Sequence, residues 1–120
     1  MVGSVAPMAD TLYLLESEFV DPAHPGRRFY CWHCMLLEGL LARFTALAGR
    51  LEVRRVSWPR PRAALVSLLG EEHQSLPVLV LGDDTPYERA RFHAGQRVID
   101  DMDEILAALA VRHGFPHKHP

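Results

Sequence analysis

The stretch Phe29-Tyr30-Cys31-Trp32-His33-Cys34 decides how this chain is interpreted, because it holds both of the chain's cysteines at C-x-x-C spacing. From residue 32 to about residue 48, apolar side chains recur every three or four positions: Leu37, Leu40, Leu41, Phe44 and Leu47. This spacing predicts an amphipathic helix, with Gly49 as the residue after its end. The cysteine pair therefore opens a helix, with Cys31 at the N-cap or in the first turn.

A cysteine pair at a helix start has a specific chemistry. Unpaired backbone N–H groups and the helix dipole stabilise an anion there, and C-x-x-C motifs can lower a cysteine pKa from about 8.5 to roughly 3.5–7. Cys34 lies one turn further on, where it can attack a mixed disulfide on Cys31. We interpret Cys31 as the attacking thiolate and Cys34 as the resolving thiol. His33, when protonated, adds positive charge that favours the thiolate, which makes the disulfide more oxidising.

Composition places this pair in an ordinary globular chain. The 120 residues are 48% apolar and 23% charged, which predicts one domain with its own core. A net charge of −2 argues against nucleic acid as the main partner. The sequence shows no signal peptide and no apolar run long enough for a membrane span, so we expect a cytoplasmic protein without membrane contact. Disulfides in that compartment are usually transient and catalytic.

The rest of the chain alternates strands and helices, which predicts an α/β domain. We expect a mixed four-stranded sheet flanked by about three helices, in the order β-α-β-α-β-β-α, with the first two strands parallel. Residues 1–9 are interpreted as a flexible leader, 10–113 as the domain and 114–120 as a surface tail. Outside the first helix, the predicted elements are strands at 11–15, 51–56, 76–82 and 97–99, a helix at 62–69, and a last helix capped by Asp100 or Asp101 and ended by Gly114.

Three features together resemble the thioredoxin-like superfamily. They are a first strand at 11–15, Cys31-Trp32-His33-Cys34 opening a helix, and Ser75-Leu76-Pro77 opening an apolar strand. The resemblance implies that Pro77 is a cis-proline beside the cysteines and that the backbone of Leu76 pairs with an extended substrate. It further implies that Tyr30, Trp32 and Ser75 help to form the substrate site. Tyr30 stands where thioredoxins have tryptophan, and the bulky Trp32 narrows access to the pair.

The whole chain, from about residue 10 to residue 120, also resembles a bacterial family catalogued as domain of unknown function 3088. The likeness rests on residues 29–34, 58–62, 74–77 and 113–116. This family name implies no activity.

The expected function is that of a thiol–disulfide oxidoreductase or a redox-responsive protein, acting on protein thiols and disulfides or on glutathione, with no cofactor. One alternative is a non-catalytic thioredoxin-like binding module with vestigial or switch-like cysteines. A second is a zinc site in which Cys31 and Cys34 are joined by His113 and His117, or by His24 and His119. A further hypothesis is an anion site built from four arginines on loops: Arg27, Arg28, Arg60 and Arg62.

Overall fold

The computed structural model describes residues 9–120, so most of the expected leader lies outside the described residues. In chain order its elements are β1 (Thr11–Leu15), β2 (Phe19–Val20), β3 (Arg28–Phe29), α1 (Trp32–Arg43), α2 (Thr45–Ala48), β4 (Glu52–Val56), α3 (Ala63–Leu69), β5 (Val78–Val80), β6 (Arg91–His93), β7 (Gln96–Ile99) and α4 (Met102–His113). The main sheet is mixed and five-stranded, in the order β4-β1-β5-β7-β6, and a separate ribbon pairs β2 with β3.

The sheet is organised around β1, which lies between β4 and β5. Its pairing with β4 is parallel, as the sequence predicts, and its pairing with β5 is antiparallel. Leu12 and Leu14 are fully buried, because β1 has neighbours on both edges and helices on its faces. The carboxyl ends of β1 and β4 therefore meet the start of β5 at one end of the sheet, and this end carries the cysteines.

The expected four-stranded sheet with three helices is wrong in two details, since the structure has five strands in the main sheet and four helices. The missed strand is β6, which pairs only with β7 at the sheet edge. Its residues are mostly exposed and carry no apolar alternation, so no strand pattern is visible at residues 91–93 of the sequence. The turn that joins β6 to β7 has positive φ at Ala94 and Gly95, 51° and 79°, the backbone of a type I′ hairpin.

The predicted helix over 32–48 is divided at Phe44, where φ is −115° and ψ is 64°. The amide of Phe44 still donates to the Leu40 carbonyl at 2.9 Å, and α2 starts immediately afterwards. The Phe44 ring meets the ring of Phe115 edge-on, with centroids 6.3 Å apart. Phe115 is buried, so the predicted surface tail over 114–120 contributes one side chain to the core, while its other residues are exposed.

The last helix begins and ends as the sequence predicts. The carboxylate of Asp101 accepts from the amide of Glu104 at 3.1 Å, which is an N-cap bond. Gly114 ends α4 with a φ of 79°, a left-handed conformation that favours glycine. The preceding turn of α4 carries Arg112 and His113, and both side chains bind the buried carboxylate of Asp10 just before β1. This network ties α4 to the end of the sheet opposite the cysteines.

Candidate functional site

Cys31 is the N-cap residue of α1, as the sequence predicts. Its backbone is extended, with φ −83° and ψ 111°, and its Sγ accepts a hydrogen bond from the amide of Cys34. The Sγ–N distance is 3.2 Å, and the Cys31 carbonyl starts the helical ladder by accepting from Met35 at 2.9 Å. The sulfur of Cys31 therefore replaces the oxygen that caps most helices, and it remains partly accessible because Cys31 is only half-buried.

Cys34 lies inside the protein, with no exposed surface, and is a free thiol like Cys31. Its Sγ accepts from the amide of Leu15, at the end of β1, over 3.5 Å. Burial in the core, followed by the hydrogen bond to the Cys31 side chain, raises the pKa of the Cys34 thiol to about 12 against the opposing effect of the Leu15 amide. The pair is therefore asymmetric: one sulfur is accessible and the other is a buried proton donor.

Two exposed aromatic side chains flank the pair. Tyr30 is 65% exposed and Trp32 is 66% exposed, far more than is usual for large apolar residues. The Trp32 ring lies against the ring of His33, with centroids 3.9 Å apart. Within residues 9–120, His33 forms no hydrogen bond to either cysteine, so any effect of His33 on the pair acts through space.

The segment before β5 leads to the end of β1 at which Leu15 binds Cys34. The Leu76–Pro77 peptide bond is cis, and so is Arg60–Pro61. Since Val78 pairs with Tyr13 in the antiparallel register, Pro77 lies beside Leu14, one residue from the amide that binds Cys34. Pro77 is buried, Leu76 is half-buried and packs against the cluster that contains Cys34, and Ser75 is exposed.

The structure does not bring the four arginines of the anion-site hypothesis together as free side chains. Arg28 pairs with Glu18 at 3.2 Å, and the Arg27 guanidinium lies 5.6 Å from the centre of the Phe29 ring. Arg60 is exposed. Arg62 alone is buried, and the hydrogen bonds of its guanidinium go to backbone carbonyls.

Arg62 and Gln74 form a buried polar pair whose role the sequence analysis missed. The Gln74 side-chain oxygen accepts from the Arg62 amide at 2.7 Å, and the Gln74 carbonyl accepts from the Arg62 Nη1 at 2.7 Å. The only signal in the sequence was that both residues fall within the short motifs 58–62 and 74–77. Two polar residues twelve positions apart on separate loops carry no periodicity that would pair them.

Two of the four histidines of the zinc hypothesis contact other side chains. His113 Nε2 lies 2.7 Å from an Asp10 carboxylate oxygen, and the His24 ring meets the Phe29 ring edge-on at 5.7 Å. In the part of the chain that the structure describes, no group of three or more His, Cys, Asp and Glu side chains is arranged to hold a metal ion. No helix among these residues has the length and apolar character needed to cross a membrane.

Fold and site together define a mixed α/β domain with a dithiol at a helix N-terminus, next to a loop with a cis-proline. The chain belongs to the family described as protein of unknown function (DUF3088), whose family model matches residues 9–117. No curated protein and no solved structure matches the chain.

Proposed function

We propose that this protein is a thiol–disulfide oxidoreductase, or a redox-responsive protein, with a thioredoxin-like fold and the Cys31–Cys34 pair as its reactive group. The observation that carries the proposal is the asymmetry of the pair. Cys31 is accessible and receives a backbone N–H at the helix start, whereas Cys34 is buried behind it with a strongly raised pKa. A nucleophile needs access and thiolate character, and a resolving thiol needs protection until the mixed disulfide forms.

The proposed reaction starts with attack of the Cys31 thiolate on a disulfide of the partner. A bond forms between Cys31 Sγ and one partner sulfur, the partner's S–S bond breaks, and the other sulfur leaves as a thiolate. Cys34 then loses its proton to water and attacks Cys31 Sγ, which expels the second partner thiolate. The partner disulfide is reduced to two thiols and the protein dithiol is oxidised to a disulfide. The same steps run in reverse when the partner is a dithiol.

The contacts of Cys34 explain why it would react after Cys31 in this scheme. While Cys31 is anionic, its charge and its hydrogen bond both raise the pKa of Cys34, as burial does, so the second thiol keeps its proton. A mixed disulfide at Cys31 removes the charge and weakens the hydrogen bond. Burial is then the main remaining cause that raises the pKa of Cys34, and the Leu15 amide lowers that pKa. Cys34 is thus activated by the reaction of Cys31.

The surface around Cys31 is suited to a partner with an extended backbone. Tyr30 and Trp32, the chain neighbours of Cys31, carry exposed rings, and the half-buried Leu76, which follows the exposed Ser75, packs against the hydrophobic cluster that contains Cys34. The partner class in this proposal is a protein thiol or disulfide, or glutathione, in a reducing cytoplasm. The same exposed rings favour the second candidate, a binding module in which the cysteines do not cycle.

The two candidates are separated by a redox titration. We would equilibrate the protein with glutathione buffers that cover about −320 to −180 mV, trap free thiols by alkylation, and read the state of the pair by intact mass. Cys31→Ser is the control that cannot close a disulfide. We expect one reversible transition of two electrons, with no zinc retained in the same sample. A pair that never closes in this range contradicts the oxidoreductase and favours the binding module, and stoichiometric zinc contradicts both.

A further inference from the structure

We propose that Arg62 is a positioning residue that holds an uncompensated positive charge behind the cysteine pair and thereby favours its reduced, anionic form. This inference rests on the proposed thiol–disulfide chemistry and assigns one determinant of its reduction potential. The consequence is that the Cys31–Cys34 disulfide is more oxidising with Arg62 than without it, because stabilising a thiolate stabilises the reduced protein.

The burial of Arg62 without a carboxylate partner is the first step of the argument. The residue is 7% exposed, and its side-chain hydrogen bonds go to the Trp58 carbonyl, from Nε at 3.0 Å and Nη2 at 2.7 Å, and to the Gln74 carbonyl, from Nη1 at 2.7 Å. Among residues 9–120, no Asp or Glu side chain lies within 4.0 Å of its guanidinium. Carbonyl dipoles solvate a cation but carry no net charge, so none of the groups that the guanidinium contacts directly neutralises its positive charge.

The position of the two carbonyls places this charge at the cysteine end of the sheet. Trp58 lies two residues after Val56, which pairs with Leu15, and Leu15 is the residue whose amide binds Cys34. Gln74 lies three residues before Pro77, which is next to Leu14 in the register of β1 and β5. Trp58 and Leu76 also pack against the cluster that contains Cys34. Arg62 therefore joins the two loops that surround the pair.

The charge balance at Arg62 supports this placement. Burial lowers the pKa of Arg62, and the neighbouring charge of Arg60 lowers it further, whereas Cys34 and Cys31 raise it. A sulfur attracts the guanidinium only as a thiolate, and the attraction between such a thiolate and the guanidinium acts equally on both groups. A charge held in a buried position is screened by salt much less than an exposed one.

The test compares the reduction potentials of Arg62→Gln, Arg62→Lys and Arg60→Gln with that of the wild-type protein. Arg62→Gln should shift the dithiol–disulfide equilibrium with glutathione about tenfold toward the disulfide, a potential about 30 mV more negative. Arg62→Lys keeps the positive charge but loses the planar contacts to the carbonyls. Its reduction potential should therefore lie near that of the wild-type protein, while its free energy of unfolding should be lower than that of the wild type. Arg60→Gln removes an exposed arginine two residues away and should leave the potential nearly unchanged.

Arg62 and Gln74 are both buried, so circular dichroism first checks that each variant folds. If Arg62→Gln does not fold, Gln74→Glu takes its place, since the side-chain oxygen of residue 74 lies 2.7 Å from the Arg62 amide nitrogen and a carboxylate there adds a negative charge close to the buried cation. A folded Arg62→Gln or Gln74→Glu with the wild-type potential would overturn the inference. The inference would also be overturned if Arg62→Lys lowered the reduction potential as much as Arg62→Gln, because the role of Arg62 would then be purely structural.

A second measurement separates failure of this inference from failure of the proposed function. In a Cys34→Ser background no disulfide can close within the protein, yet Cys31 still reacts with iodoacetamide. Adding Arg62→Gln should slow this alkylation several-fold at pH 7, because less Cys31 is present as thiolate. A wild-type pair that never cycles, combined with slower alkylation, rejects the proposed function and keeps the effect of Arg62. Normal cycling with unchanged alkylation rejects the effect of Arg62 alone.

Discussion

The backbone amide of Leu15, the last residue of β1, donates a hydrogen bond to the Sγ of Cys34 over 3.5 Å. The bond connects the buried cysteine of α1 to the central strand of the sheet. A neutral thiol is a weak acceptor, and a thiolate is a far stronger one, so the same bond gains strength when Cys34 loses its proton. Strand β1 therefore positions Cys34 and supplies the donor that would stabilise its anion in the proposed resolving step.

The first prediction concerns which cysteine a partner attaches to. Cys34→Ser should accumulate mixed disulfides through Cys31, because the accessible nucleophile remains and the resolving thiol is gone. Cys31→Ser should trap few, since Cys34 has no exposed surface and its burial raises the pKa of its thiol even without Cys31. Incubation with oxidised glutathione, followed by intact mass without reductant, counts the adducts directly. Equal trapping by the two variants would contradict the assignment of roles.

A second prediction needs no mutation. In the reduced wild-type protein at pH 7, iodoacetamide should modify Cys31 at least about tenfold faster than Cys34, because reactivity follows thiolate content and access. Peptide mapping after short exposure measures both rates. In urea the burial of Cys34 is lost, and the two rates should become similar. Faster modification of Cys34 in the folded protein would show that its side chain is not enclosed as described.

Much of the site followed from local pattern. A C-x-x-C pair before a helical apolar stripe identified the N-cap position of Cys31, and the capping residue Asp101 and the end at Gly114 were likewise encoded within a few neighbouring residues. These features depend on side chains and backbone groups only a few residues apart, so the spacing along the sequence determines which of them can form a hydrogen bond. The parallel pairing of β1 with β4 followed from a strand, helix and strand in succession.

Other features depended on contacts between distant residues. Strand β6 is held by its pairing with β7 and has no apolar alternation of its own. The burial of Arg62 depends on carbonyls of two separate loops, so an arginine that looks solvated in the sequence lies inside the structure. The sequence predicts no role for Asp10, because its partner Arg112 is 102 residues away. In the structure Asp10 is only 2% exposed.

The third prediction tests the connection between the two loops near the cysteines. Gln74 is buried, and its side chain accepts from the Arg62 amide and donates to the Glu71 carbonyl at 2.8 Å. Gln74→Ala removes both bonds and leaves a buried N–H without a partner, which costs about 1–3 kcal/mol. Urea unfolding followed by circular dichroism measures the loss. Ser75→Ala, at the exposed neighbouring position, should stay within about 0.5 kcal/mol of wild type.

The fourth prediction concerns the ion network at the opposite end of the sheet. Burial alone would raise the pKa of Asp10, but hydrogen bonds from His113, Arg112 and the Gly82 amide outweigh it and hold that pKa far below its ordinary value. Removing one partner of such a buried pair is strongly destabilising, so Asp10→Asn should lower the free energy of unfolding at pH 7 by about 3 kcal/mol. Urea unfolding at pH 7 gives the comparison.

The pH dependence of this loss in unfolding free energy tests the role of the Asp10 charge more directly. A carboxyl whose pKa is depressed in the folded state stabilises the protein above its unfolded pKa of about 3.9. This contribution disappears as the pH falls from there through the folded pKa, so the difference between wild type and Asp10→Asn should shrink as the pH falls below about 4. Asp103→Asn is the matched control, because Asp103 binds Lys118 at 2.8 Å on the exposed surface, where solvent screens the pair. A difference that stays unchanged down to pH 2.5 would mean that Asp10 acts through packing rather than through its charge.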